Sequence, residues 1–254
     1  MTWGCLLIHG FGGAPFEMEP LIEPIEQLGG TVKCITLPGH DTSIDDFRTT
    51  FFDDWAKHAE REYLNLSKEV EHVAVTGLSM GGTLSLHLAA RFSPAAVISI
   101  AAPIHVYRII PWEMKDWRLP LVRFIRHVRP VWPCAPRSKE SQEIAPWKGY
   151  DGVNLLPQVW SLVEGCRRVG KELGQVRCPA LILHAPDDKT SPSSNAWRIA
   201  KNISSEHREL HLIPIEEKVT AHHMLTTHRE TKLHVLELTK MFLDKFFIQN
   251  CKKQ

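Results

Sequence analysis

The sequence predicts an α/β protein: a mostly parallel sheet flanked by helices, with a helical cap inserted into it. Three observations predict this. Six short β-rich runs recur along the 254 residues, helix-like patterns lie between them, and the alternation breaks once, between about residues 104 and 176. Alternating strand and helix signals mark parallel strands joined by crossover helices.

The strand runs are "CLLIH" (5–9), "TVKCITL" (31–37), "HVAVTGL" (72–78), "AAVISIA" (95–101), "PALILHA" (179–185) and "RELHLI" (208–213). Several are nearly continuous apolar stretches, as strands covered on both faces require. After the first run, Met18, Leu21, Ile22, Ile25 and Leu28 have helical spacing. Pro24 falls inside that pattern; an interior proline removes a backbone hydrogen bond, so a kink or a late start is predicted there. Near the end, Val235, Leu238, Phe242 and Phe246 form another helical face. The interval 104–176 far exceeds an ordinary αβ connection of roughly 2–6 residues. It reads as a helical cap, with 1–103 and 177–254 forming the core.

Composition bounds the function. Hydrophobic residues make up 43% of the chain, enough for one large core. Thirty Lys and Arg stand against 29 Asp and Glu, so the net charge of +1 gives no electrostatic reason to expect nucleic acid. A small-molecule partner is favoured. The six cysteines are scattered, without a CxxC pair or a zinc-like His spacing, so no metal and no cofactor is expected. The opening residues lack the basic region, apolar core and cleavage site of a secretion signal, and a soluble, cytoplasmic protein is the expectation.

Chemistry enters at Gly77-Leu78-Ser79-Met80-Gly81, a GxSxG pentapeptide after the strand "HVAVTGL" and before the helix "GGTLSLHLAARF". A plain Gly-Ser turn would share the pentapeptide. The strand before it and the helix after it favour a strained turn that exposes the Ser79 hydroxyl at the sheet's carboxyl edge. "HGFGG" (9–13), directly after the first strand, is a turn able to offer a backbone N–H to an oxyanion. The backbone amides of Phe11 and Met80 are the predicted donors, and His9 is expected to shape the loop.

A serine hydroxyl becomes a useful nucleophile when a carboxylate-oriented histidine takes its proton. The acid is sought after "PALILHA", where Asp187 and Asp188 stand at a strand's carboxyl end; Asp188 is preferred for its distance from Ala185 and Pro192, with Asp187 as the alternative. The base is sought in "TAHHMLTTH", where His223 is preferred over His222. The three histidines of "HHMLTTH" do not have a standard metal-ligand spacing.

The order Ser79, Asp188, His223 is that of α/β-hydrolases rather than of trypsin-like or subtilisin-like proteases. Over nearly its whole length the sequence resembles the α/β-hydrolase superfamily, and most resembles small bacterial carboxylesterases and monoacylglycerol lipases. "LLIHGFGG" resembles the first core strand and oxyanion loop, "LPGH" (37–40) the exit of the next strand, and "GLSMGG" the nucleophile elbow. "CPALILHAPDD" resembles the strand that delivers the acid, placing Asp188 in register, and "HHMLT" resembles the histidine loop, favouring His223. Two loops depart from the family pattern: "DDKTSP" lacks the usual aliphatic residues, and "EEKVTA" stands where a shorter turn is common. The extra leading strands frequent in the family have no counterpart before Gly4, so about six parallel strands are expected.

The resemblance implies acyl transfer in two steps from small or medium-chain esters such as monoacylglycerols. The same residues would serve an acyl-thioesterase or a lysophospholipase, and a catalytically silent fold that binds a hydrophobic small molecule is the alternative outside catalysis. Ser79 disfavours the epoxide and haloalkane hydrolases of this fold, which need a carboxylate there. Substrate choice is assigned to the cap, with Trp112, Trp117 and Trp160, beside Phe11 and Met80, as candidate contacts. Residues 105–149 hold nine Lys and Arg against four Asp and Glu, which suits either a solvated basic face or transient contact with a lipid surface. Oligomeric state has no signature in the sequence.

Overall fold

The computed structural model describes residues 2–107 and 118–249. Strand β1 (Trp3–Ile8) leads through two 3-10 turns into α1 (Ile22–Gln27). Pro24 is the third residue of α1, inside the first turn, where its missing N–H has no helical acceptor to leave unpaired. The late start expected from Pro24 is what forms. Strand β2 (Thr31–Ile35) precedes α2 (Ile44–Arg48) and α3 (Phe52–Glu69); β3 (His72–Leu78) precedes α4 (Met80–Phe92); β4 (Ala96–Ile100) opens the long excursion. The excursion carries α5 (Val122–Val128), β5 (Val131–Pro133), α6 (Lys139–Ile144), β6 (Val153–Leu155) and α7 (Leu156–Glu172). The chain then returns through β7 (Ala180–His184), α8 (Ser194–Asn202), β8 (Arg208–Leu212) and α9 (Lys232–Asp244).

Six strands form one parallel sheet in the order β2-β1-β3-β4-β7-β8. Alternate residues of each strand bury opposite faces, as the pleat dictates. Leu6 and Ile8 join an apolar cluster with Phe52, Trp55 and Leu84 on the α3 and α4 side. Cys5 and Leu7 join Met18, Ile25, Val235 and Phe242 on the α1 and α9 side. Each fully buried Leu or Ile contributes on the order of 1.5–3 kcal/mol of transfer free energy, so two dry faces hold the strands rigidly. Because all six strands are parallel, the loops leaving β1, β3, β7 and β8 meet at one carboxyl edge, where open α/β sheets bind their ligands.

The excursion is not purely helical. β5 and β6 pair antiparallel, Val131 opposite Leu155 and Trp132 opposite Asn154. At three residues each, neither strand is long enough to show a period of two in the sequence. Helix α7 is also anchored to the core rather than held apart from it. Its Gly165 lies on the Phe52 ring, where an added Cβ would come within 2.2 Å, and its Ser161 Oγ accepts the Phe52 N–H at 2.9 Å. Val169 and Leu173 belong to the main core cluster. Among the described residues no helix is long and apolar enough to cross a membrane.

Candidate active site

The turn between β3 and α4 puts Ser79 at φ 57°, ψ −122°, a conformation costing a non-glycine residue roughly 1–3 kcal/mol. Close packing imposes it. A Cβ on Gly77 would come within 2.2 Å of the Gly81 backbone, and one on Gly81 within 2.0 Å of the Ile8 carbonyl oxygen. Only glycine at both positions lets α4 pass so near β1. The Ser79 N–H donates to Ile100 O at 2.8 Å and its carbonyl accepts the Thr83 N–H at 3.1 Å, so the strained residue is held from both sides.

The structure brings Ser79, His223 and Asp188 together. His223 Nε2 lies 2.8 Å from Ser79 Oγ, and His223 Nδ1 lies 2.6 Å from Asp188 Oδ2. Asp188 is fully buried, and its Oδ1 accepts the Thr190 and Ser191 N–H groups at 2.7 and 2.9 Å. The turn "DDKTSP" therefore fixes the carboxylate by its own backbone. His184, at the end of β7, flanks the same carboxylate with Nε2 3.5 Å from Asp188 Oδ2; burial lowers its pKa. Asp187 is exposed and His222 turns away: its Nε2 donates to the Glu217 carbonyl at 2.7 Å.

The loop "EEKVTA" has a structural purpose. Glu217 accepts the Val219 and Thr220 N–H groups, the Thr220 hydroxyl, and His228 Nε2 at 3.1 Å. Burial alone would raise its pKa, but hydrogen bonds from Thr220, His228 and Val219 bring it down to about 2. The Glu217 carboxylate thus organises the segment leading into His222 and His223.

The glycine turn after β1 closes with the Gly13 N–H donating to Gly10 O at 3.3 Å. His9 Nδ1 donates to Gly10 O at 2.9 Å and its Nε2 accepts the Leu37 N–H at 3.1 Å. Burial pushes His9 down to about 4, so it stays neutral and shapes the loop, as expected from its position. Met80 begins α4, where a backbone N–H has no intrahelical acceptor. Its side chain is fully buried in the core and does not reach the cavity.

A cavity of about 200 Å³ opens over Ser79, lined by Gly10, Phe11, Pro103, Val106, Trp147, Leu162, His223 and Met224, with Glu17 and Arg137 among its polar residues. Trp160 is not part of it. Instead Trp160 packs with Tyr107, Val122, Leu156 and Val163 in the excursion's own apolar cluster, because its position on α7 faces α5 rather than Ser79. Trp112 and Trp117 lie outside the described residues. Among the described tryptophans Trp147 is the one that reaches the cavity, and Glu17 and Arg137 line it without a mark in the sequence. Burial pushes Glu17 up to about 7, against the lowering effect of hydrogen bonds from Gly10 and Trp147. Among the described residues no group of three or more His, Cys, Asp or Glu side chains could hold a metal ion.

A serine hydroxyl, a histidine and a buried carboxylate in line, at the carboxyl edge of a parallel sheet, are the arrangement found in serine hydrolases of the α/β class. Residues 3–226 match the hydrolase family described as "Serine aminopeptidase, S33". The chain belongs to this α/β-hydrolase family and is a serine hydrolase of the esterase and lipase kind. It is 32% identical over 208 residues to a thermostable monoacylglycerol lipase from Bacillus sp. (strain H-257), covering 82% of this chain and 79% of that one. It superposes with a TM-score of 0.81 and 25% identity on a structure reported for LipS and LipT, two metagenome-derived lipolytic enzymes, over 96% of this chain and 94% of the other. A soluble variant of monoglyceride lipase from Saccharomyces cerevisiae, in complex with a substrate analog, superposes with a TM-score of 0.77 at 16% identity, over 96% and 86% of the two chains; this likeness is one of fold.

Proposed function

We propose that the protein hydrolyses monoacyl esters of small or medium chain length, with monoacylglycerols as the leading substrate class, through an acyl-enzyme on Ser79. The observation that carries this reading is the unbroken hydrogen-bond chain from Ser79 Oγ through His223 to Asp188, at 2.8 and 2.6 Å. His223 takes the Ser79 proton as the hydroxyl attacks the ester carbonyl, then returns it to the departing alcohol. Asp188 holds the imidazole with Nδ1–H toward itself and stabilises the imidazolium. The Phe11 and Met80 amides stabilise the oxyanion; losing one such donor typically costs roughly a hundred- to thousand-fold in rate. Water, activated by His223, then releases the acid.

The largely apolar cavity suits an acyl chain, and Arg137 supplies polarity where an alcohol with free hydroxyls would sit. The monoacylglycerol lipase relative supports the glyceride assignment. We place residues 104–176 over Ser79 as a cap. Its helix α5 exposes Phe124 at 67% and Val128 at 89%, with Leu121 also exposed, beside Arg123, Arg126 and Arg129. Exposed apolar side chains among cations fit an anionic lipid surface. Several arginines also lie on aromatic rings, Arg129 4.5 Å from the centroid of Trp132 and Arg126 5.4 Å from Trp160, so the basic excess is partly structural. The five described cysteines are free thiols, which suits a reducing compartment such as the cytoplasm.

The test is hydrolysis of a p-nitrophenyl ester series and of monoacylglycerols of matched chain length, by wild type and Ser79→Ala. Monoacylglycerol turnover that the substitution abolishes is the expected result. A folded wild type that cleaves acyl-thioesters but no oxygen ester would move the assignment to a thioesterase; no turnover of either would favour a binding protein.

A further inference from the structure

Glu17 is a carboxyl with no place in the acyl-transfer steps, yet it is 1% exposed beside Ser79. Burying an ionisable group is costly unless its hydrogen bonds are made. Here two donors converge on it from opposite sides. Its Oε2 accepts the Gly10 N–H, from the turn that carries Phe11, and its Oε1 accepts the indole N–H of Trp147, both at 2.7 Å.

The surrounding backbone is cut to admit that carboxyl. A Cβ on Gly13 would sit 1.8 Å from Glu17 Oε1, and one on Gly10 would lie 3.0 Å from Oε2. Two glycines of "HGFGG" are thus explained by the side chain they make room for. On the other side, the strap of residues 144–150 that carries Trp147 is sewn to the core. The Tyr150 N–H donates to Gly12 O at 2.8 Å, and the Tyr150 hydroxyl donates to Gly39 O at 2.6 Å. The strap also meets the histidine loop, where Thr227 Oγ1 donates to Pro146 O and the Arg229 N–H to Ile144 O, each at 2.8 Å.

Resting on the acyl-transfer reading above, we propose that Glu17 is a positioning residue: its carboxyl ties the oxyanion loop to the strap through Gly10 and Trp147, so that the Phe11 N–H is aimed only when the strap is seated. The carboxyl touches neither the scissile group nor the nucleophile. It acts through Gly10, one residue from the predicted oxyanion donor. Both partners are donors, and a carboxyl offers an oxygen to each of them. Glutamine keeps a single oxygen, so in Glu17→Gln the amide NH2 must face one N–H.

The test compares wild type, Glu17→Gln, Glu17→Ala and Trp147→Phe on p-nitrophenyl butyrate, with kcat and KM resolved and folding followed by thermal unfolding. Ser79→Ala is run alongside. Expected are a kcat lowered about tenfold in Trp147→Phe, about thirty-fold or more in Glu17→Ala and less in Glu17→Gln, with KM within about threefold, since the loss falls on a transition-state interaction. Glu17→Ala combined with Trp147→Phe should be little worse than Glu17→Ala alone, because both break one tie. The proposal is overturned if the folded variants among these keep kcat within twofold of wild type, or if the double variant loses the product of the two single losses. Should Glu17→Ala fail to fold, Glu17→Gln and Trp147→Phe decide by the same criterion. Activity surviving in Ser79→Ala would sink the acyl-transfer reading instead, a separate result.

Discussion

The strap at residues 144–150 and the helix α5 belong to the same excursion between β4 and β7, and they are held in opposite ways. The strap is fastened by directional bonds to the glycine turn, the histidine loop and Glu17. Helix α5 rests on a small apolar cluster above a second cavity of about 180 Å³, lined by Leu119, Val122, Ile125 and Trp132, and turns Phe124 and Val128 outward. On the function proposed above, the contrast divides one insertion between two tasks. Hydrogen bonds with fixed geometry suit the part that sets the reacting groups, whereas nondirectional apolar contacts suit a part that meets a variable surface.

The sharpest way to break this contrast is Gly13→Ala. Its Cβ would overlap Glu17 Oε1, so we expect a loss of at least a hundredfold in kcat and about 2–3 kcal/mol of stability; unchanged kinetics and melting would mean the turn is not seated on Glu17. Next comes pH. Glu17 is raised from 4.5 to about 7 in the fold, so the folded protein holds a proton that the unfolded chain releases. This contribution favours folding below about 4.5 and is lost as pH rises to about 7, on the order of 3 kcal/mol from this group. His223, Arg137 and Cys34 are the titratable neighbours that act on it or feel it. Urea unfolding of Glu17→Gln should show a stability difference from wild type that grows between these pH values; parallel pH profiles would refute the assignment.

Glu217→Ala should lower kcat about tenfold by freeing the segment before His223, with the protein still folded at neutral pH; an unaltered kcat in a folded variant would show that the histidine is held by Asp188 alone. The smallest effect on chemistry belongs to α5. Phe124→Ser with Val128→Ser should leave p-nitrophenyl butyrate turnover within twofold and stability within about 0.5 kcal/mol, while reducing binding to phosphatidylglycerol vesicles several-fold. Equal vesicle binding by the double variant would remove α5 from the lipid contact.

Legibility in the sequence followed the range of the interactions. Ser79 could be read because a strand, a helix and two obligatory glycines are compressed into a few residues around it. The four inner strands are legible because two-sided burial writes continuous apolar runs, whereas the edge strands β2 and β8, only partly buried, show apolar residues in alternation. Asp188 and His223 are legible from their places after β7 and β8, and the structure joins them to Ser79 in one hydrogen-bond chain, His223 on the serine and Asp188 behind the histidine. Glu17 carried no such mark: its partner Trp147 is 130 residues away, and only folding joins them. Arg137 was hidden for the same reason. Aromatic content places tryptophans in the excursion without saying which way each faces, so the expectation falls on Trp160 while the fold turns Trp147 to the cavity. The pairing of β5 with β6 escaped because three-residue strands have no visible period.

On the proposed mechanism Ser79 carries the acyl group, and this assignment is open to direct chemical test. It is tested most directly by treating wild type, Ser79→Ala and His223→Ala with a fluorophosphonate probe and mapping the adduct by peptide mass spectrometry. Wild type should carry one adduct, on Ser79, with none on Ser79→Ala and labelling slowed at least a hundredfold in His223→Ala. An adduct on another residue of the wild type, or undiminished labelling of Ser79→Ala, would contradict the assignment.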